Sequence, residues 1–396
     1  MKKTALMVGF LAALGFNNAQ AADLTWSGDV RYRFQSDLQY GDGASANFNS
    51  RDRQRGRIRL GASAWINDEL SAGVQVATDG STGATTYETT SRNVTFGQMF
   101  LPQAAFFNEG YLDYHPQAYG LDGQFNIVLG KRGVASDLIY VNDLVFDSDL
   151  TFDGITLQYG KDGAGKEKDG LAAVVGYYPL NEKSSRTAVG GQDAYLFVGQ
   201  AGYKGEVSDI RYQLGAGYYN YVNFDVNSTS FSTVLSPSFD YTAKDFNIVE
   251  LFGTLGGQVT EKLPWKLSAQ YAVNTASSGG AQGRYYNLDD SQKKAWLAEV
   301  KLGDAKSVGD WSLNGEYCRI ERDALTVLTD SDRNSLGASG VVGATTGFTN
   351  LKGIKVGGGY HLVQNLMLNV NYFSFKSINV DNITNRILMA DVVVKF

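Results

Sequence analysis

Histidine, cysteine and proline are almost missing from this chain of 396 residues, which has two, one and five of them. A single cysteine, Cys318, excludes an intramolecular disulfide and a thiolate metal cluster. With His115 and His361 as the only histidines, a histidine-based metal site has too few ligands, and neither metal nor cofactor is expected. Pro102, Pro116, Pro237 and Pro264 fall in gaps between regular stretches and Pro179 just past one, where a hydrogen-bonded ladder tolerates a missing N–H. The chain also lacks a long apolar run. The only candidate, Ala5 to Phe16, is shorter than the roughly 20 residues of a spanning helix. Lys2 and Lys3 before it and Ala19-Gln20-Ala21 after it give residues 1–21 the form of a secretory leader, leaving 22–396 as one domain. Positive charge is not in excess either. The formal net charge of -6, more negative once Lys2 and Lys3 leave with the leader, argues against nucleic acid as a partner.

Glycine (46), tyrosine (23) and phenylalanine (21) are plentiful, a composition suited to strands with aromatic girdles and glycine-rich turns. One segment makes the strand reading concrete. From Arg51 to Arg59 every odd position is arginine, and from Ile58 the even positions are apolar: Ile58, Leu60, Ala62, Ala64, Ile66. Only a strand, whose side chains alternate between faces, separates these into a guanidinium ladder and an apolar strip.

The same period of two recurs about sixteen times, near 24–38, 52–66, 70–79, 105–115, 123–132, 150–160, 170–178, 193–204, 209–222, 245–258, 265–275, 293–303, 310–321, 350–361, 366–377 and 385–396. Gaps after odd-numbered stretches are long, including 80–104, 133–149 and 322–349, and those after even-numbered ones are short, such as 67–69 and 362–365. Long loops on one side and tight turns on the other match a transmembrane antiparallel β-barrel with long extracellular loops and short periplasmic turns. In lipid, unpaired backbone groups force closure, and about sixteen strands leave a lumen wide enough for water. A soluble sandwich would favour branched aliphatics, whereas these apolar faces mix Tyr, Phe, Leu, Ala and Gly. Tyr159, Tyr177, Tyr203, Tyr218, Tyr271, Tyr360 and Tyr372 are expected as interface anchors.

The opening strand Ser27-Gly28-Asp29-Val30-Arg31-Tyr32-Arg33-Phe34, the run Arg51 to Leu60 leading to Asn67-Asp68-Glu69-Leu70, and the terminal Phe396 closing an alternating strand resemble those of the Gram-negative outer-membrane porins. More narrowly, they resemble the group labelled putative porins. The resemblance implies a passive diffusion channel in the cell outer membrane, embedded in lipid and lipopolysaccharide. It further implies a homotrimer passing small hydrophilic solutes, with the third long loop folded into the lumen. Phe396 would be its signal to the barrel-assembly machinery.

With the first strand running outward, Trp26, Gly28, Val30, Tyr32 and Phe34 face lipid, and Asp29, Arg31, Arg33 and Gln35 face the lumen. The hairpin is expected to set Arg31 and Arg33 beside Arg59 and Arg57 near mid-membrane, with Arg53 and Arg55 nearer the outer mouth. On the lipid face each arginine would cost roughly 2–4 kcal/mol at the midplane. Asp137, Asp143, Asp147 and Asp149 of the third long gap, followed by Asp153, are the expected counter-charge, and Glu109 and Asp113 are further lumen acids. The functional readings are a general diffusion porin with an arginine-lined constriction, a substrate-selective anion channel for phosphate or organic acids, and a non-conducting structural or adhesive barrel. The bland alternative is that the arginines are neutralised by carboxylates and only stiffen the barrel. The predicted lumen is polar rather than packed, which disfavours the non-conducting barrel. Catalysis finds little support, because both histidines fall at periplasmic-side turns, where an exposed polar role is the ordinary one.

Overall fold

The computed structural model describes residues 24–41, 49–78, 92–97, 103–118, 122–161, 168–183, 192–224, 245–276, 292–326, 328–334, 349–378 and 383–396. The expected leader, Pro102 and Pro237 lie outside them.

Sixteen long antiparallel strands close into a barrel: β1 (Leu24–Tyr40), β2 (Asn49–Asn67), β3 (Leu70–Thr78), β4 (Ala105–Tyr114), β5 (Phe125–Gly133), β6 (Thr151–Tyr159), β7 (Gly170–Asn181), β8 (Ala194–Val207), β9 (Ile210–Val222), β10 (Asn247–Thr260), β11 (Leu263–Asn274), β12 (Lys294–Gly303), β13 (Trp311–Ile320), β14 (Leu351–Val363), β15 (Leu366–Ser377) and β16 (Thr384–Lys395). Neighbours in sequence pair throughout, and β1 pairs with β16 from Asp29↔Lys395 to Tyr40↔Thr384, so the sheet has no open end. The bounds expected from alternation agree with these within three residues. A two-residue strand, Val94–Thr95, adds to β2 at Gly56 and Arg55 above the end of the shorter β3.

Alternation sets the two faces as the chemistry demands. Val30, Tyr32, Phe34, Ile58, Leu60 and Ile66 are exposed outward, while Asp29, Arg33, Arg55 and Arg57 are buried inward. All seven tyrosines expected as anchors are exposed on the outer surface. Short connections turn tightly: Ser208 and Asp209 both take positive φ (48° and 66°) between β8 and β9, as a two-residue hairpin turn matching strand twist requires.

Several expectations need correction. Pro179 sits inside β7 and Pro264 inside β11, each beside a register shift, where the extra residue of a bulge removes the need for a proline N–H. The β1–β2 register is one pair away from that expected: Arg31 faces Arg57, Arg33 faces Arg55, and Asp29 takes the place opposite Arg59. Nor is the lumen polar all round. On the β6–β13 side Phe152, Tyr178, Leu196, Tyr219, Tyr221, Ile248, Phe252, Leu297 and Ile320 point inward and form one apolar core with Val134, Leu138, Leu144, Val145 and Phe146 of the β5–β6 connection. Phe146 lies edge-on to both Phe152 and Tyr219, at 5.2 and 5.1 Å between ring centroids. Leu325 and Leu328, from the β13–β14 connection, join the same core.

Candidate functional site

Two connections therefore fill part of the barrel, and they are joined. The first starts with the short helix α1 (Val134–Asp137) and runs to Leu150. The second, 321–334, ends in a single 3-10 turn, Ser331–Asn334. Asp147 donates its N–H to the Leu328 carbonyl (2.8 Å), and Thr329 Oγ1 donates to the Leu144 carbonyl (2.6 Å). Arg333 is fully buried and ties the pair to the wall, donating to the Asp143 carbonyl (2.9 Å) and to Glu316 Oε1 of β13 (3.1 Å). Apolar contact brings the loops inward, and these bonds fix their register.

What the loops leave open is a solvent-open chamber against β1 and β2. Its walls are Arg31, Arg57 and Arg59 on the barrel side and Asp143, Asp147, Ser148, Asp149, Asp330 and Asp332 on the loop side, with Lys355 of β14. Asp149 spans the two sides. Its carboxylate accepts from Arg57 Nη1 (3.1 Å) and Arg59 Nη1 (3.1 Å). Both arginines also reach Asp29, through Arg57 Nε (3.0 Å) and Arg59 Nε (2.5 Å). Two guanidinium groups thus meet two carboxylates, which is what allows Arg57 to be buried with its charge.

The other arginines are held individually. Arg33 grips Asp391 of β16 with two parallel N–H groups (2.7 and 2.9 Å) and reaches Asp332 at 3.3 Å. Arg53 pairs with Asp37 (2.7 Å), and Arg55 donates to Gln35 Oε1 (3.0 Å) and the Asn93 carbonyl (3.3 Å). Arg31 differs: its Nε and Nη2 both donate to Asn93 Oδ1 (3.1 and 2.7 Å), with no carboxylate paired to it among the described residues.

The expected acids divide. Asp143, Asp147 and Asp149 line the chamber, but Asp137 does not: it is buried 2.6 Å from Arg132 Nε. Arg132 also takes Asp113 (2.8 Å), so this inward-facing cation of β5 claims both acids. Glu109 is half-buried and points at Gly133, away from the chamber lining. Asp153 faces outward and pairs with Lys131 at 2.6 Å. Reading 322–349 as an ordinary outer loop missed Asp330 and Asp332. The available signal was Leu325 and Leu328, apolar residues set between Arg322-Asp323 and the charged run Asp330, Asp332, Arg333.

Burial governs the loop carboxylates. It pushes Asp147 well above the usual carboxylate range, reinforced by Asp330, Asp143 and Asp149. It raises Asp330 to about 7 against the opposing pull of Arg333.

His115 corrects an expectation as well. It is 1 % exposed rather than solvated, its ring tilted against Trp65 (4.8 Å between centroids), with Nε2 3.3 Å from Ser71 Oγ and 3.5 Å from Asp113, and with Nδ1 bonded by the Asn126 amide. A Ser/His pair at one depth therefore exists, enclosed in the wall. Among the described residues no group of three His, Cys, Asp or Glu side chains could hold a metal.

The family model described as putative porin matches residues 32–246 and 236–396. The chain belongs to the putative porin family. It is an outer-membrane channel for passive diffusion. Among solved structures the porin is similar to OprB of Pseudomonas putida at high pH, at 12% identity, with 94% of each chain covered and a TM-score of 0.55. It is also similar to Salmonella typhi OmpF in complex with daunomycin, at 13% identity, covering 94% of this chain and 97% of that one with a TM-score of 0.51. At such identity these likenesses concern the fold. No curated protein matches the chain.

Proposed function

We propose that the chamber is the constriction of this porin, with Arg31, Arg57 and Arg59 as its basic wall and the 134–150 loop as its acidic one. The observation that carries this reading is the carboxylate of Asp149, brought in by the loop to bridge Arg57 and Arg59. Small hydrophilic solutes and ions pass this gap in single file, oriented by opposed charges on its two sides. The matching of two arginines by Asp29 and Asp149 favours weak ionic selectivity over a strongly anion-selective ladder. The apolar core narrows the route without removing it, because the chamber lining is almost wholly charged.

The same reading takes residues 1–21 as a leader removed on export and Phe396 as the signal to the barrel-assembly machinery. It places the chain as a homotrimer among lipid and lipopolysaccharide, with no catalytic role for Ser71 and His115. The test is conductance of purified protein in a planar bilayer: an ohmic channel is expected, whose conductance rises when residues 140–148 are replaced by a short glycine-serine linker. Unchanged conductance in that variant would place the constriction elsewhere.

A further inference from the structure

The charges of the chamber are sorted by side, and two of them stand open. On the barrel side Arg57 and Arg59 are matched by Asp29 and Asp149, but Arg31 has no carboxylate and its Nη1 has no hydrogen-bond partner among the described residues. On the loop side Asp149 is held by two arginines and Asp332 by Arg33. Asp147 accepts the Asp149 N–H, and Asp330 accepts the Asp332 N–H with Arg333 Nε 3.8 Å away. Asp143 is the exception. Its Oδ1 accepts the Ser148 N–H (2.9 Å) and the Tyr140 hydroxyl, while Oδ2 has no partner, and no cation lies within ion-pair distance among the described residues. Lys355, the remaining cation, faces Glu316 across the β13–β14 ladder with its ammonium 5.4 Å from the Phe373 ring centroid.

An anion entering this chamber gains Arg31 but meets the loop carboxylates. A cation gains Asp143 but meets three guanidinium groups. A solute carrying one charge of each sign gains both contacts and opposes neither, and with almost no apolar lining a hydrocarbon side chain adds nothing. We propose that the chamber is a binding site for short zwitterions of the glycine and β-alanine class, with the carboxylate on Arg31 and the ammonium on Asp143. The proposal rests on the chamber being the permeation route.

The test compares initial uptake rates into proteoliposomes for four solutes of similar size: glycine, glycolate, ethanolamine and acetamide. Glycine uptake should exceed acetamide uptake and saturate at millimolar concentration. Arg31→Gln and Asp143→Asn should each raise its half-saturating concentration by about tenfold, the loss of one charge-assisted hydrogen bond. Lys306→Gln, in the periplasmic turn beyond β12, is the control. Heat-modifiable electrophoretic mobility establishes that each variant is folded, and Arg31→Gln alone suffices if Asp143→Asn does not assemble. Glycine uptake that is linear and equal to that of acetamide overturns the site, as does saturation untouched by folded Arg31→Gln. Saturable glycolate uptake lost in Arg31→Gln, without saturable glycine uptake, also overturns it by making Arg31 an anion site. If the channel conducts salt normally in those cases, the diffusion reading survives. Absence of any conductance removes both.

Discussion

Replacing Asp149 by asparagine deletes one negative charge from the proposed constriction while keeping the side chain's shape. The loop should stay where it is. Leu144, Val145 and Phe146 are almost wholly buried, and each contributes about 1.5–3 kcal/mol by leaving water. The Asp149 ion pairs, with side chains 22% exposed for the aspartate and 25% for Arg59, lie nearer the water-screened limit of about 1 kcal/mol or less. The larger change is in the field. A unit charge about 4 Å from a passing ion is worth about 1 kcal/mol in water and about 4 kcal/mol at an effective dielectric of 20. Because the chamber is open to solvent, the lower figure applies. The cation loses about 1 kcal/mol and the anion gains about as much, a difference of about 2 kcal/mol, so the anion-to-cation permeability ratio should rise by about thirtyfold in Asp149→Asn. Reversal potential across a salt gradient reads this directly. An unchanged ratio in folded protein would mean that ions do not pass Asp149, and the two-sided constriction would have to be abandoned.

Asp330, with its pKa raised to about 7 by burial, gives the channel a pH dependence whose sign is fixed. A carboxyl whose folded pKa is raised favours the folded state on the acid side, so this stabilising effect is lost as pH climbs from about 4 through about 7. Cation preference should rise over that range and the loop seam should loosen, whereas Asp330→Asn should flatten the reversal-potential profile. Arg33→Met should lower stability by about 3 kcal/mol, because it strands the buried Asp391, and Arg31→Met by less than about 1 kcal/mol. Urea-unfolding midpoints compare the two. Deleting Phe396 removes a residue whose backbone exchanges two hydrogen bonds with Gly28 (2.9 and 3.1 Å) and whose ring covers that glycine. The heat-modifiable fraction recovered from outer membranes should fall, and an unchanged fraction would deny Phe396 a role in assembly.

The barrel was legible in the sequence because its signals are local. Period-two alternation and the contrast between long and short gaps depend only on near neighbours, and they located every long strand. Register was less secure: Arg31 opposite Arg57 or opposite Arg59 satisfies the same two faces, and only the length of the first connection decides between them. The site was half legible. The arginine ladder announces itself, but its partners Asp391 and Asp332 come from distant positions, the one brought near by barrel closure and the other by the second inward loop. Asp137 was misplaced because Arg132, the competing cation, is a single unremarked residue on β5. The second inward loop was missed because 322–349 was read only as a long gap, although Leu325 and Leu328 within it needed burial. His115 was misread for the converse reason, as proximity to a turn says nothing of depth.

The central claim is that solutes pass between the inward loop and the arginine wall, and Ser148 lies on that route, exposed and lining the chamber. The native Cys318 is fully buried, so a cationic methanethiosulfonate reagent should leave wild-type current unchanged. In Ser148→Cys the account predicts that the reagent lowers single-channel conductance in discrete steps and shifts selectivity toward anions. Complete labelling of the introduced thiol, established by mass, with conductance and selectivity unaltered would contradict it.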